Sequence, residues 1–246
     1  MTSKLAQSFI YPDWPAPSQI KSIQTTRLGG VSVGSYASLN LGDHVKDNPQ
    51  HVAHNRQLLN NFVPTEPVWL NQVHGVRVID AAISSCLESA DAAYSNKVNV
   101  VCVTMTADCL PVLLCNKQGT VVAAVHAGWR SLCDGVIEAT VNAMPADVRD
   151  LMAWLGPAIG PDAFEVGAEV RAQFMAQDAN AEQAFKAKGD KWLGDLYQIA
   201  RQRLQGLGVT AIYGGGACTY TDQEKFFSFR RDGDTGRMAS MIWIEK

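Results

Sequence analysis

The sequence is poor in the features that would classify it at once. It has no run approaching the roughly 20 apolar residues that a membrane helix requires. Its most apolar region, 98–125, is interrupted by Asp108, Asn116 and Lys117. Residues 1–10 carry one lysine and no long apolar stretch, so no secretion signal is expected. Positive charge is not in excess: 21 Lys and Arg against 24 Asp and Glu leave a net charge of −3, with no basic face expected for duplex nucleic acid. The six cysteines (Cys86, Cys102, Cys109, Cys115, Cys133 and Cys218) form no C-x-x-C pair. Without a secretion signal they read as reduced thiols in a cytoplasmic chain. Gly214-Gly215-Gly216 lacks both the GxGxxG and the GK[ST] spacing, which removes a nucleotide-loop signature. No repeat, low-complexity tract or Pro/Gly/Ser linker divides the 246 residues, so a single domain over 1–246 is expected, its first 19 residues irregular.

What is present is a globular composition large enough to fold around its own core without disulfides. A β candidate at 21–27 is closed by Gly29-Gly30, and Asp47-Asn48-Pro49 offers a cap and an early helical proline for a helix over 49–62. Strand patterns follow at 68–70, 76–80, 98–105, 111–115, 121–126 and 151–155, and their continuous apolar runs indicate burial on both faces. Helical patterns cover 129–144, 166–177, 180–188 and 195–206, the last stopped by Gly208. Residues 226–230 and 238–244 flank the turn-rich 232–236 and predict a closing hairpin. Strands interleaved irregularly with helices favour an α+β fold with mixed sheets.

Three short segments place chemistry-bearing residues at strand ends, where a rigid scaffold can project them into one cleft. They are Asn71-Gln72-Val73-His74-Gly75, Ala107-Asp108-Cys109-Leu110-Pro111 and His126-Ala127-Gly128-Trp129-Arg130. A His/Cys/His set can hold Zn²⁺ and leave a fourth position open. The spacings of 35 and 17 residues are not those of a zinc finger. A buried thiol beside two hydrogen-bonded histidines satisfies the same residue types. Asp108 reads either as the carboxylate that orients a ligand or acts as acid/base, or as a turn residue. Cys102 and Cys115 read as apolar fillers of buried strands. His44, His51 and His54 read as solvated. Arg27, Arg56, Arg130, Arg230 and Arg231 are the candidates for an anionic substrate, and surface ion pairs are the alternative for each.

Taken together, the segments resemble one family. They are Thr26-Arg27-x-Gly29-Gly30-Val31-Ser32, Ser38-Leu39-Asn40-Leu41-Gly42, Asn55-Arg56, Gln72-Val73-His74-Gly75, Ala107-Asp108-Cys109-Leu110-Pro111, His126-Ala127-Gly128-Trp129-Arg130, Gly156-Pro157-Ala158-Ile159-Gly160, Glu165-Val166-Gly167 and Phe227-Ser228-Phe229-Arg230-Arg231. The family is the laccase-domain family, once described as multicopper polyphenol oxidases and now as purine nucleoside phosphorylases. The match is close to its peptidoglycan-editing-factor branch and runs from about residue 20 to 244.

The resemblance implies an α/β/β/α sandwich and one catalytic Zn²⁺ on His74, Cys109 and His126, Cu²⁺ being the other metal proposed. It implies phosphorolysis of adenosine, inosine and methylthioadenosine, and hydrolytic deamination of adenosine, with small purine nucleosides and phosphate as partners and neither nucleic acid nor membrane expected. Arg56 and Arg27 match motif positions suited to phosphate, and Asp108 is the adjacent candidate for catalytic acid/base beside Cys109. A cysteine-type amidase editing peptidoglycan precursors, with Cys109 as nucleophile and a histidine base, is the alternative. A copper oxidase fits worse, because five histidines are too few for a full multicopper centre. Three positions depart from the family pattern: Ser131 and Lys46 where Gly is frequent, and Phe229 where Tyr is common.

Overall fold

In a computed structural model, which describes residues 2–246, the elements run in this order: α1 (Thr2–Ser8), β1 (Ile20–Gln24), α2 (Pro49–Leu59), β2 (Val78–Asp80), β3 (Ala92–Ser95), β4 (Cys102–Thr106), β5 (Leu110–Asn116), β6 (Val122–Ala127), α3 (Trp129–Asp134), α4 (Val136–Ala143), β7 (Leu151–Leu155), β8 (Glu165–Val166), α5 (Ala168–Gln177), β9 (Phe185–Lys188), β10 (Lys191–Gly194), α6 (Leu196–Leu207), β11 (Ala211–Gly214), α7 (Phe229–Asp232) and β12 (Met238–Ile244). The main sheet is six-stranded, in the order β11-β7-β5-β6-β3-β2. It is mixed: β11 with β7 and β2 with β3 are parallel, and the other pairs antiparallel. A second, antiparallel sheet has the order β1-β12-β4, and β8-β10-β9 forms a small third one.

Alternation along the strands decides the layering. Leu110, Val112 and Leu114 of β5 pack with Leu132, Ile137, Ile199 and Leu204 of the helices. Leu113 and Cys115, one position out of phase, pack with Cys102, Ile242 and Ile244 of the second sheet. That sheet's other face, through Val103, Met105 and Met241, covers Leu59 of α2. The result is helices, six-stranded sheet, three-stranded sheet, helix: the α/β/β/α order. Both central strands are buried throughout, as continuous apolar runs require.

Several local expectations are corrected. The 129–144 helix is two helices, because Gly135 adopts φ 96° between them. Residues 179–184 form a 3₁₀ turn, and 185–194 a hairpin about Gly189 (φ 61°), where 180–188 read as helix. The closing hairpin does not form. Ser228 caps the short helix α7, and β12 pairs with β1 and β4 instead. Residues 68–70 contribute only the isolated bridge of Val68 with Cys102. The N-terminal segment opens with α1, so only part of 1–19 is irregular.

Candidate metal centre

Strands β4 and β5 are consecutive in the chain but belong to different sheets, so the residues between them cross the seam between the sheets. Asp108 makes the crossing with φ 99°, a backbone region costly for a side-chain-bearing residue. Its carboxylate is held at both oxygens: the Thr219 hydroxyl donates to Oδ1 (2.6 Å) and the Arg230 N–H to Oδ2 (2.6 Å). Cys109 is thereby set at the mouth of the seam, half-buried. His126, near the end of β6, has the parity of Val122 and Ala124, whose side chains fill the space between the sheets. It is therefore presented to the same seam, buried at 3% exposure.

His74 comes from a loop, at φ 60°. The loop is fixed by Asp91, a fully buried residue immediately before β3. The Asp91 carboxylate accepts N–H groups from Val73 (3.2 Å), His74 (2.9 Å) and Gly75 (2.6 Å), and Nδ1 of His126 donates to its Oδ1 at 2.8 Å. One carboxylate thus sets the loop that carries one imidazole and the orientation of the other. Because Nδ1 of His126 is engaged by the carboxylate, Nε2 is the ring nitrogen that could face a metal. Gln72 ties the loop to β4 from the other side, its amide donating to the Met105 carbonyl and accepting the Met105 N–H. Gly128 permits the convergence: a Cβ there would lie 2.7 Å from His74 Cδ2 and 3.1 Å from Cys109 Sγ.

The donor atoms of His74, Cys109 and His126 all lie within 4.8 Å of one another. His74 Nε2 is 3.7 Å from Cys109 Sγ, and the imidazole rings meet edge-on with centroids 4.7 Å apart. Tetrahedral Zn²⁺ with nitrogen and sulfur ligands places neighbouring donors about 3.3–3.8 Å apart. The His74–Cys109 separation falls in that range, and the chemistry of the donor set suits a divalent metal.

Electrostatics agree. Burial opposes ionisation of Cys109, but His126 and His74 outweigh it and bring the thiol below its ordinary value. Burial likewise opposes the His126 imidazolium, and Cys109 and Asp91 outweigh it, so its pKa is raised. Burial opposes ionisation of Asp91 too, yet the hydrogen bonds from His126 and the loop hold it below the usual carboxylate range. Cys102 and Cys115, buried without partners, are pushed up and stay inert thiols.

Two chambers meet at this cluster and share His74, Ala107, Cys109 and Phe229. The first, of about 290 Å³, is walled by Trp129, Ile159, Phe164 and Leu196, with Asp108 and Arg230 at its edge. The second, of about 280 Å³, is lined by His44, Gln72, Thr106, His126 and Arg237. Two larger hollows, of about 520 and 390 Å³, lie elsewhere and contain no cysteine.

The structure thus brings together the three residues expected to share a metal. Arg27 and Arg56 line neither chamber. Arg27 donates to the Ala37 and Gln223 carbonyls and lies over Phe227, while Arg56 donates to the Leu41 carbonyl, pairs with Asp43 (3.2 Å) and lies over Trp69. The chamber arginines are Arg230, among the candidates, and Arg237, which sequence reasoning missed. The orienting carboxylate is Asp91, also missed, and not Asp108. The only sequence signal for Asp91 was a lone acid in front of an apolar strand. His44, expected to be solvated, is exposed but stands at the rim of the second chamber, where burial and Arg237 lower its pKa.

Fold and site define the class: a layered α+β protein with a His/Cys/His metal-type centre at the seam of two sheets. The chain belongs to the laccase-domain family, whose model, described as multi-copper polyphenol oxidoreductase laccase, matches residues 21–245. It is 57% identical to the purine nucleoside phosphorylase YfiH of Shigella flexneri and 56% identical to that of Escherichia coli K12, each over 96% of this chain and 98% of the relative. Among solved structures, a Neisseria meningitidis protein (NMB0706) superposes with a TM-score of 0.95 at 48% identity, covering 97% of this chain and all of that one. YlmD of Geobacillus stearothermophilus follows with a TM-score of 0.85 at 27% identity, covering 94% of each. No helix among the described residues is long and apolar enough to cross a membrane.

Proposed function

We propose that this protein is a zinc-dependent purine nucleoside phosphorylase acting on adenosine, inosine and methylthioadenosine, with hydrolytic deamination of adenosine as a companion reaction. The observation that carries this is the position of the donor trio, between an aromatic chamber and a polar one. The names of relatives more than 50% identical over almost the whole chain support it. Zinc on His74, Cys109 and His126 would supply Lewis acidity at the junction of the chambers. In phosphorolysis a phosphate oxygen bonds to the ribose C1′ as the C1′–N9 bond breaks. The electron pair leaves with the purine, which takes up the proton that phosphate releases. Trp129, Phe164 and Leu196 offer the flat apolar surface that a purine ring stacks on. Asp108 serves as a positioning residue in this reading, since both its oxygens already accept hydrogen bonds that hold Arg230 and Thr219.

The test is the purified, metal-quantified protein incubated with inosine or adenosine, with and without phosphate, alongside Cys109→Ser. Phosphate-dependent release of hypoxanthine or adenine, reduced by at least about 100-fold in the variant, is expected. Base release at the same rate without phosphate, or undiminished in Cys109→Ser, sinks the reading.

One observation favours a second reading, a cysteine-type amidase acting on peptidoglycan precursors. Cys109, His126 and Asp91 are arranged as nucleophile, base and orienter, with the thiol pKa lowered. Alkylation of metal-free protein separates the two. Rapid labelling of Cys109 that leaves nucleoside turnover intact after metal is restored excludes Cys109 as a zinc ligand. Full protection by zinc excludes it as a free nucleophile.

A further inference from the structure

The polar chamber contains a hydrogen-bonding group with nothing to bond to. Thr106, the last residue of β4, is 2% exposed, and its hydroxyl has no hydrogen-bond partner. A buried hydroxyl is normally satisfied, so one left open in a chamber wall points to a ligand that supplies the partner. Facing the same chamber is Arg237. Its guanidinium is half-buried and uses one terminal nitrogen, Nη1, on the Thr235 and Gly236 carbonyls. Among the described residues it has no carboxylate partner, although Arg231 and Arg203 each have one. No aspartate or glutamate lines the chamber. Burial pulls the Arg237 guanidinium below its ordinary value, and the fields of Cys109, Asp108, Tyr36 and Asp234, none of them in an ion pair with it, oppose this without reversing it. A desolvated cation without a counter-charge is costly, and an entering anion removes that cost.

Neither group is needed to hold the donor trio. Gln72 already anchors the His74 loop, and its amide is fully engaged by Met105. His44 stands exposed at the rim, its Nδ1 3.7 Å from an Asp43 carboxylate that Arg56 also engages.

We infer that the chamber lined by Arg237 and Thr106 is an oxyanion site that takes the phosphoryl group, opposite the aromatic chamber and across the His74/Cys109/His126 cluster from it. A tetrahedral phosphate offers the two adjacent oxygens that a guanidinium fork matches and a further one for the Thr106 hydroxyl. This deepens the phosphorolysis reading and rests on it for the identity of the anion as co-substrate. Phosphate then enters by a different chamber from the nucleoside, and the two meet at His74, Cys109 and Phe229. The same phosphoryl chemistry could arrive as inorganic phosphate or as the phosphate of a nucleotide.

The experiment compares wild type with Arg237→Gln, Arg237→Lys, Thr106→Val and Thr104→Val. Thr104 lies two residues earlier on the same strand with an equally unpartnered hydroxyl, but it lines no chamber. In steady state, Arg237→Gln raises the phosphate KM by about tenfold or more, and Thr106→Val raises it by several fold. The nucleoside KM stays within about twofold in both, because the lost bonds are those to a charged group. Thr104→Val leaves the phosphate KM unchanged. Arg237→Lys keeps the charge without the fork and falls between. Unchanged phosphate KM in Arg237→Gln overturns the site.

A second readout does not need turnover. Inorganic phosphate, against chloride at matched ionic strength, raises the melting temperature of wild type saturably and that of Arg237→Gln not at all. If wild type binds phosphate in this Arg237-dependent way but turns over no nucleoside, the anion site stands and the phosphorylase reading falls. If turnover depends on phosphate and is indifferent to Arg237 and Thr106, the reading stands and the site falls. Adenosine monophosphate serves as the other arm. Stabilisation by inorganic phosphate but not by the nucleotide assigns the site to the free anion, and the reverse overturns a co-substrate role.

Discussion

The space between the two sheets is apolar along most of its depth and polar at one end, and the same strands build both. On β4 the inward positions run from Cys102 to Thr104 and Thr106, and on β6 from Val122 and Ala124 to His126. On β12 they run from Ile244 and Ile242 to Ser240. The period of two does not change along these strands; only the chemistry at the inward position does. Dry packing closes the sandwich at one end, while the other holds polar side chains that need partners, and the hydroxyls of Thr104 and Thr106 have none. Ser240 finds its partner in Gln24, and His126 in Asp91. The metal-type centre exists because a side chain that would have been another valine of the core is a histidine with a carboxylate behind it.

The comparison breaks first at Asp91. In Asp91→Asn one oxygen becomes an NH₂ group. Oδ1 faces donors from His74 and His126, and Oδ2 faces donors from Val73 and Gly75, so either amide orientation sets donor against donor. Breaking such a buried, charge-assisted network costs about 3–5 kcal/mol. Urea denaturation is expected to show that loss, with bound metal falling well below one per chain by elemental analysis. The sign with pH follows. Folding holds the Asp91 pKa below its ordinary value. Its contribution is present above the unfolded value near 4 and is lost as pH falls through the lower folded value. Acid unfolding of wild type should therefore steepen below about pH 4, a step that Asp91→Asn lacks. A variant that keeps both stability and metal would show that the polar end does not depend on this carboxylate.

At the apolar end, Leu113 is fully buried between the sheets. Leu113→Ala removes packing and leaves a cavity, costing about 3 kcal/mol. The same urea titration reads the loss, but metal content and nucleoside KM should be unchanged. Loss of metal in Leu113→Ala would mean that the two ends are coupled, and the comparison would have to be redrawn.

The apolar end was the legible part of the sequence. A helix begun by Asn48 and Pro49 and the strand at 151–155 follow from capping and periodicity; the strand stands as expected, and the helix starts where expected but ends at Leu59 rather than near 62. Long-range pairing was not legible. The loop 232–236 has every mark of a hairpin turn, yet β12 finds better partners in β1 and β4, more than a hundred residues away. The donor trio could be anticipated because each member sits within a recognisable segment, Cys109 and His126 at strand ends and His74 in a loop. Asp91, Thr106 and Arg237 could not, because each acts through neighbours that only the layering brings close. Nothing in the run around Ala90-Asp91-Ala92 distinguishes an anchor of four hydrogen bonds from a turn acid.

The smallest effect is expected where the chain departs from its family. Ser131, fully buried in the first turn of α3, donates its hydroxyl to the carbonyls of His126 (2.9 Å) and Gly128 (3.1 Å). The His126 carbonyl lies at the end of β6 beside Asp91, whose own N–H is used on the Arg77 carbonyl. The hydroxyl therefore satisfies an acceptor that the sheet leaves open, and it does so behind His126 rather than in the chambers. Ser131→Ala removes that bond without adding backbone freedom, at a cost of about 1 kcal/mol. Metal stoichiometry should stay at one per chain, because Asp91 still fixes the imidazole through Nδ1. The measurement pairs a urea titration with metal analysis. A drop in metal content would mean that orientation of His126 is shared between its carboxylate and its backbone, and would extend the polar end of the seam by one turn of helix.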